Sequence, residues 1–75
     1  MTQLSLKRSL WLFDRTGGSM GKNGRQLHID DVVVVQNTHD LFYGNRLEEA
    51  VSFSVVGRPG MVYYALKDDF YDATK

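Results

Sequence analysis

The sequence predicts one small, mostly-β domain over residues 1–75, folded as a bent antiparallel sheet of about five strands or a partly open barrel, with at most one short helical turn. Two observations predict this fold class. Apolar residues recur at every second position along much of the chain, which is the period of a strand with one buried face. The run Val32-Val33-Val34-Val35 is β-branched throughout, and such residues favour strands because their χ1 angles are restricted.

A first strand is predicted over residues 4–13. One face of this strand is apolar and carries Leu4, Leu6, Leu10 and Leu12. The opposite face is mixed and carries Ser5, Lys7, Ser9, Trp11 and Phe13. Arg8 interrupts the apolar face, which indicates a sheet edge or a bend at that residue.

The dipeptide Asn23-Gly24 predicts the turn of a hairpin, because both central residues of a type I′ turn need a positive φ. A two-residue loop at this position pairs Met20 with Leu27, and this apolar pair supports the hairpin.

The valine run at residues 32–35 is predicted to form a strand that is buried on both faces, because it is apolar without alternation. Polar residues 37–40 predict a loop, which residues 41–44 continue with three large apolar side chains. These side chains either plug the barrel or anchor a partner. Residues 45–50 are ambiguous, since Asn45 is a suitable cap for a short helical turn.

A closing hairpin is predicted from residues 51–56 and 61–66, with turn-forming residues at positions 57–60. The predicted register places Phe53 opposite Tyr64 and gathers the apolar side chains on one face. A glycine-rich hairpin, a valine strand and a closing hairpin, in this order, resemble the architecture of an SH3-like barrel.

The composition predicts marginal stability for the isolated chain. At 8.6 kDa, folding buries apolar surface worth about 110–120 kcal/mol, and the conformational entropy cost is about as large. The chain has no Cys, so neither a disulfide nor a thiolate metal site adds stability. Binding to a partner or self-association would therefore stabilise the fold.

A cytoplasmic protein without membrane contact is expected. No apolar stretch approaches the ~18 residues of a membrane-spanning helix. The first eight residues carry their positive charges inside the segment rather than ahead of an apolar run, unlike a signal peptide.

Metal and phosphate sites are not expected. Residues 16–23 approach the phosphate-binding loop G-x-x-x-x-G-K-[ST], but they lack its first glycine, its final hydroxyl and a following helix. His28 with Asp30 and His39 with Asp40 are the candidate metal ligands. A zinc site needs at least three converging ligands, and nothing in the sequence brings these two pairs together.

Catalysis is not expected either. There is no Cys, and no serine lies in a G-x-S-x-G turn. Ser52 and Ser54 alternate along a strand and are expected to face solvent. A chain of this length seldom encloses a substrate pocket of ~300 Å³ or more. The sequence is therefore interpreted as non-enzymatic, with no catalytic residue and no cofactor.

The first functional hypothesis is a protein-binding module, in the style of small inhibitors or adaptors with which phages and mobile elements block host protein complexes. Aromatic anchors surrounded by acids would form its docking edge. The predicted contact residues are Phe42, Tyr43, Tyr63, Asp68, Asp69, Phe70 and Tyr71. The other acids around them are Asp40, Glu48, Glu49 and Asp72.

Two alternatives stay open. Residues 1–26 carry five bases and one acid, a local net charge of +4, and a basic groove with stacking aromatics is typical of single-strand binding. The predicted nucleic-acid contacts are Lys7, Arg8, Trp11, Arg15, Lys22 and Arg25. Against this, the pI of 6.7 is below the usual ~9 of such domains. The second alternative is a homo-oligomeric structural protein, for example a homodimer, suggested by the valine strand and the marginal stability.

Overall fold

The structure, a computed structural model, describes residues 3–75, which form six strands and one helix. They are β1 (Gln3–Ser5), β2 (Leu10–Thr16), β3 (Ser19–Leu27), β4 (Val32–Tyr43), β5 (Arg46–Val55), β6 (Arg58–Leu66) and α1 (Lys67–Ala73). The prediction of a small, mostly-β fold consistent with an SH3-like barrel is confirmed. The helix has seven residues, so it is longer than the single turn that was predicted.

Five strands form a closed barrel in the order β4-β3-β2-β6-β5, with β5 returning to β4, and β1 pairs with the first residues of β4. Closure depends on a short parallel pairing that places Met20 of β3 beside Tyr43 of β4. The predicted sheet was purely antiparallel, whereas the observed sheet is mixed. No turn signal accompanies a parallel pairing between residues far apart in sequence, so local patterns could not predict it.

The first predicted strand divides into β1 and β2, with the expected bend at Lys7 and Arg8 between them. Leu12 is buried as predicted, but the next residue, Phe13, is buried as well. The two side chains lie in different hydrophobic clusters on opposite faces of the strand, so this part of β2 is buried on both faces.

The predicted turn at Asn23-Gly24 is wrong. The chain turns at Gly17-Gly18, where Gly17 adopts a φ of +61°. As a result, Met20 pairs with Arg15 and not with Leu27.

Asn23 and Gly24 lie instead in the bulge of β3, where residues 23–25 oppose Leu12 alone. Gly24 adopts a φ of +76°, and the backbone N–H of Arg25 donates to Asn23 Oδ1 at 2.9 Å. The same local chemistry that forms type I′ turns here forms a bulge, because positive φ and an Asx hydrogen bond suit both.

The loop predicted over residues 37–44 and the helical turn considered for residues 45–50 are wrong. β4 and β5 pair along almost their full length, and the turn between them is Gly44-Asn45, with Gly44 at a φ of +66°. Asn37, Thr38 and Asp40 are exposed, and their pairing with β5 overrides their weak β-propensity. The valine run is less buried than predicted, since only Val33 is fully enclosed.

The predicted register of the last hairpin is also wrong. Phe53 lies opposite Tyr63 and not opposite Tyr64. The turn is Val56-Gly57, with Gly57 at a φ of +92°, and the pairing is irregular between Phe53 and Val55. The residues predicted as the turn therefore lie mostly within β6.

The barrel has two hydrophobic clusters. The larger contains Leu6, Leu10, Leu12, Leu27, Val33, Val51, Phe53, Val55, Ala65, Phe70 and Ala73. The smaller contains Phe13, Met20, Leu41 and Ala50. Consecutive strand residues point to opposite faces, and Ala50 and Val51 are both 0% exposed yet belong to different clusters. The middle of β5 is therefore buried on both faces.

The C-terminal segment forms helix α1. Phe70 and Ala73 are spaced by three residues and face the larger cluster, as one stripe of a helix does. Asp68 and Asp69 lie in the first helical turn, where negative charge is favourable. The Phe70 ring lies 5.0 Å from the Phe53 ring, so the helix closes this end of the core.

We expect Phe70→Ala to lower the free energy of unfolding by about 3–5 kcal/mol, because it removes a fully buried ring from the larger cluster. Urea denaturation followed by circular dichroism measures this loss. A Phe70→Ala variant that is unfolded even without urea would also agree with the prediction. The matched control is Tyr71→Ala, whose side chain is 40% exposed and which should lose much less stability. Equal losses in both variants would contradict the placement of α1.

Candidate functional site

One groove, of about 320 Å³, gathers four carboxylates. Its lining residues are Leu47, Glu48, Glu49, Leu66, Lys67, Asp68 and Asp69, and we call it the acidic groove. The pairing of Ala50 in β5 with Leu66 in β6 positions it. One acidic pair directly precedes Ala50 and the other follows Leu66 after a single residue, so the register brings them together.

The acidic groove keeps most of its negative charge. Lys67 Nζ lies 3.2 Å from Glu49 Oε2, and Arg46 Nε lies 3.4 Å from Glu48 Oε1. Ion pairs as exposed as these contribute about 0–1 kcal/mol and are weakened by salt. The lining contains four carboxylates and one ammonium group, that of Lys67, so its net charge is −3.

An apolar pair lies beside these acids. Phe42 and Leu47 are direct cross-strand partners, and their side chains are 50% and 59% exposed. Asp40 and Glu49 form another cross-strand pair two residues along. Alternate residues of a strand share a face, so the Phe42–Leu47 pair and the Asp40–Glu49 pair face the same side of the sheet.

The predicted protein contacts are divided by the fold. Asp68 and Asp69 line the acidic groove, and Phe42 lies next to it. Phe70 is in the core, and the half-buried Tyr43 packs its ring 5.3 Å from Phe13. Tyr71 is exposed and contacts Phe70 edge-on, while Tyr63 belongs to a different groove.

The second groove, of about 430 Å³, combines aromatic and basic side chains. Its lining residues are Trp11, Leu12, Gly24, Arg25, Gln26, His28, Arg58 and Tyr63, and we call it the basic-aromatic groove. The bulge of β3 positions Arg25, the pairing with Gln26 positions Trp11, and β6 supplies Arg58 and Tyr63. No carboxylate is among its lining residues in the described part of the chain.

Tyr63 is held in place within this groove. Its ring stacks on Phe53 with centroids 6.0 Å apart, and its hydroxyl donates to Met61 Sδ at 3.4 Å. A hydrogen bond and the coulombic attraction of Tyr63 raise the pKa of Arg58 above its ordinary value, and Asp31 adds a smaller contribution. Arg58 is a cation at any physiological pH, as every arginine side chain is.

The other predicted nucleic-acid contacts are dispersed. Arg8 pairs with Asp72 at 3.1 Å, and it lines a smaller groove of about 190 Å³ on the other side of Trp11. Arg15 lies over the Tyr64 ring at 5.7 Å, away from the basic-aromatic groove.

Neither Lys7 nor Lys22 lines the basic-aromatic groove: Lys7 follows β1, and Lys22 pairs with Phe13. Of the six predicted residues, only Trp11 and Arg25 share that groove. Arg58 and His28 were missed, because only the fold brings them near Trp11.

The candidate metal ligands do not assemble. Among residues 3–75, no group of three or more His, Cys, Asp or Glu side chains could hold an ion. His39 instead contacts Ser52, with Nε2 and Oγ 2.9 Å apart. Ser52 was expected to face solvent, but it is only 3% exposed and its hydroxyl also bonds the backbone of Asn37. The distance between these two side chains matches that of a nucleophile and its base, but the Ser52 side chain is enclosed and has little access to a substrate.

No described protein family, curated protein or solved structure matches this chain. No helix in the described part of the chain is long and apolar enough to cross a membrane. The two grooves are therefore the basis for assigning a function.

We expect Ser52→Ala to lower the free energy of unfolding by about 1–3 kcal/mol, because it leaves partly buried groups of His39 and of the Asn37 backbone without their partner. Thermal and urea unfolding measure the effect. The control is Ser54→Ala, a half-buried serine on the same face of β5, with a smaller expected change. An unchanged stability for Ser52→Ala would show that this hydrogen-bond cluster contributes nothing.

Proposed function

We propose that the chain is a non-catalytic protein-binding module whose acidic groove and adjacent Phe42–Leu47 pair dock a basic segment of a partner protein. One observation carries the proposal: carboxylates from two distant segments converge on one groove, beside an exposed apolar pair. An apolar contact next to complementary charge is the usual composition of a protein interface.

The two parts of this surface have different roles. The net charge of the groove lining attracts a basic segment, speeds its encounter and excludes acidic competitors. The exposed side chains of Phe42 and Leu47 supply apolar area, which is the contribution that slows dissociation. The exposed ion pair of Lys67 with Glu49 is readily exchanged for a pair with the partner.

The finer proposal is a small cytoplasmic inhibitor or adaptor that blocks a host protein complex, as phage and mobile-element proteins do. Small size and a surface built for contact support this, since steric blocking needs no catalytic group. The docking surface lies on β4, β5 and the start of α1, which are packed against both hydrophobic clusters. A rigid surface of this kind loses little entropy on binding.

The charge of the acidic groove is tested by affinity capture of the tagged full chain from a nuclease-treated lysate, followed by titration of the captured, purified protein. We expect the double variant Glu48→Lys/Asp69→Lys to bind about tenfold more weakly or worse, with a flatter salt dependence. The control is Asp14→Lys, which makes half of this charge change at an exposed acid outside the groove and should bind like wild type.

The apolar pair gives an independent check on the same partner: Phe42→Ala should weaken binding while circular dichroism stays native. If both the charge variant and Phe42→Ala bind like wild type, the assigned surface is wrong. Sedimentation of the wild-type chain decides whether the partner is a second copy, since a monomer at high concentration removes the homo-oligomer alternative.

A second candidate function is nucleic-acid binding by the small barrel. The observation in its favour is the basic-aromatic groove, where the exposed Trp11 lies with Arg25 and Arg58 and where none of the lining residues described is a carboxylate. Basic grooves with stacking aromatics are the usual means of binding single strands.

For this second candidate, we expect the affinity for a single-stranded oligonucleotide to fall steeply as salt rises, because bound cations release counterions from the phosphates. Fluorescence anisotropy of a labelled oligonucleotide between about 50 and 200 mM salt measures this dependence. A flat response, or no binding at low salt, rejects nucleic-acid binding.

A further inference from the structure

The basic-aromatic groove presents two aromatic rings with exposed surface. Trp11 is 48% exposed although it lies on a barrel strand, so much of its indole contacts no other part of the described chain. Tyr63 lines the same groove, and its ring is held from behind by Phe53 and through its hydroxyl by Met61. A planar ligand that stacks on the held Tyr63 ring requires little further ordering of that side chain.

The same groove presents two guanidinium groups to an anion. Arg25 lies in the bulge of β3, where its backbone N–H is fixed by the Asn23 side chain at 2.9 Å. Arg58 lies at the start of β6, fully exposed and permanently charged. One guanidinium group can donate two parallel hydrogen bonds to two oxygens of a phosphate. Two such groups therefore favour a phosphate over a single-atom anion such as chloride.

The space between these groups fits a ligand of limited size. Its volume of about 430 Å³ lies within the range of roughly 300–1,000 Å³ that small-molecule sites occupy. Gly24 carries no side chain, and nothing lies within 4 Å of the position of a Cβ there, so the backbone leaves this wall open. His28 adds a ring with polar nitrogens to the same lining.

We infer that the basic-aromatic groove binds a single nucleoside phosphate unit, with its base against Trp11 and Tyr63 and its phosphate between Arg25 and Arg58. The inference deepens the second candidate function and does not depend on the protein-docking surface. The unit is either a free nucleotide or one nucleotide of a single strand, since both offer a base and a phosphate.

Trp11 is the only tryptophan, so intrinsic tryptophan fluorescence reports on the basic-aromatic groove and on the smaller groove that Trp11 also lines, and the groove variants below separate the two. The wild-type chain is titrated with adenosine 5′-monophosphate, with adenosine and with a single-stranded tetranucleotide. We expect saturable quenching by the monophosphate, and binding of adenosine about tenfold weaker because it lacks the phosphate. A tetranucleotide that binds more tightly than the monophosphate identifies a strand as the source, and equal or weaker binding identifies a free nucleotide.

Groove variants locate the site. Arg25→Gln and Arg58→Gln should each weaken the monophosphate about tenfold, whereas Lys22→Gln, at an exposed cation outside the groove, should leave it unchanged. Calorimetry with Trp11→Leu supplies a readout that does not need fluorescence, and its binding should be lost. Thermal unfolding confirms that each variant folds.

Three results overturn the inference. The first is no response to either the monophosphate or the tetranucleotide, which also rejects the second candidate function. The second is tetranucleotide binding that the groove variants leave unchanged, which rejects the site but keeps nucleic-acid binding elsewhere. The third is displacement of the monophosphate by a lower concentration of an acidic, tyrosine-containing peptide, which makes the groove a peptide site.

Discussion

Burial of β5 on both faces is the constraint on which the rest of the structure depends. Four consecutive residues, 50–53, are enclosed, so the sheet has no solvent face at this point. One face packs against α1 and the larger cluster, and the other against the smaller cluster. A chain this short gains enough buried surface only by using both faces of a central strand. The buried Ser52 keeps its hydroxyl paired with His39, as burial on both sides requires.

The same constraint positions both candidate grooves. The residues that precede the buried segment of β5 are no longer enclosed, and there Glu48 and Glu49 meet the acids of α1. The strand β6 pairs with β5, and its Ala65 is buried in the larger cluster. Tyr63 of β6 packs against the same cluster from its edge, and its ring also lines the basic-aromatic groove. Opposite charges therefore lie on separate surfaces of one barrel, although the chain has no net charge. The proposed basic partner and the proposed anionic ligand would therefore occupy different places on the surface.

Alternation of apolar residues was enough to predict strands and much of the core, including Leu10, Leu12 and Phe53. It was not enough to predict register. The register was predicted wrongly in two hairpins, and each has two glycines with positive φ. In the first hairpin Gly17 forms the turn and Gly24 lies in the strand, and in the last hairpin Gly57 forms the turn and Gly60 lies in the strand. Gly17 forms the turn where Gly24 was predicted to, and nothing local distinguishes them. The acids of the acidic groove were identified from composition, but their convergence depends on the pairing of Ala50 with Leu66. Arg58 could not be assigned to the basic-aromatic groove before the pairing of β5 with β6 was known.

Hydrogen exchange of the chain, alone and with its captured protein partner, tests the central claim most directly. The account predicts that the amides of residues 50–53 exchange most slowly in both states, because they open only with the whole barrel. It also predicts new protection on binding at residues 46–49 and 66–69, which surround the acidic groove. Rapid exchange at residues 50–53 would contradict the doubly buried strand. New protection confined to the bulge of β3 and the start of β6 would contradict the assigned docking surface.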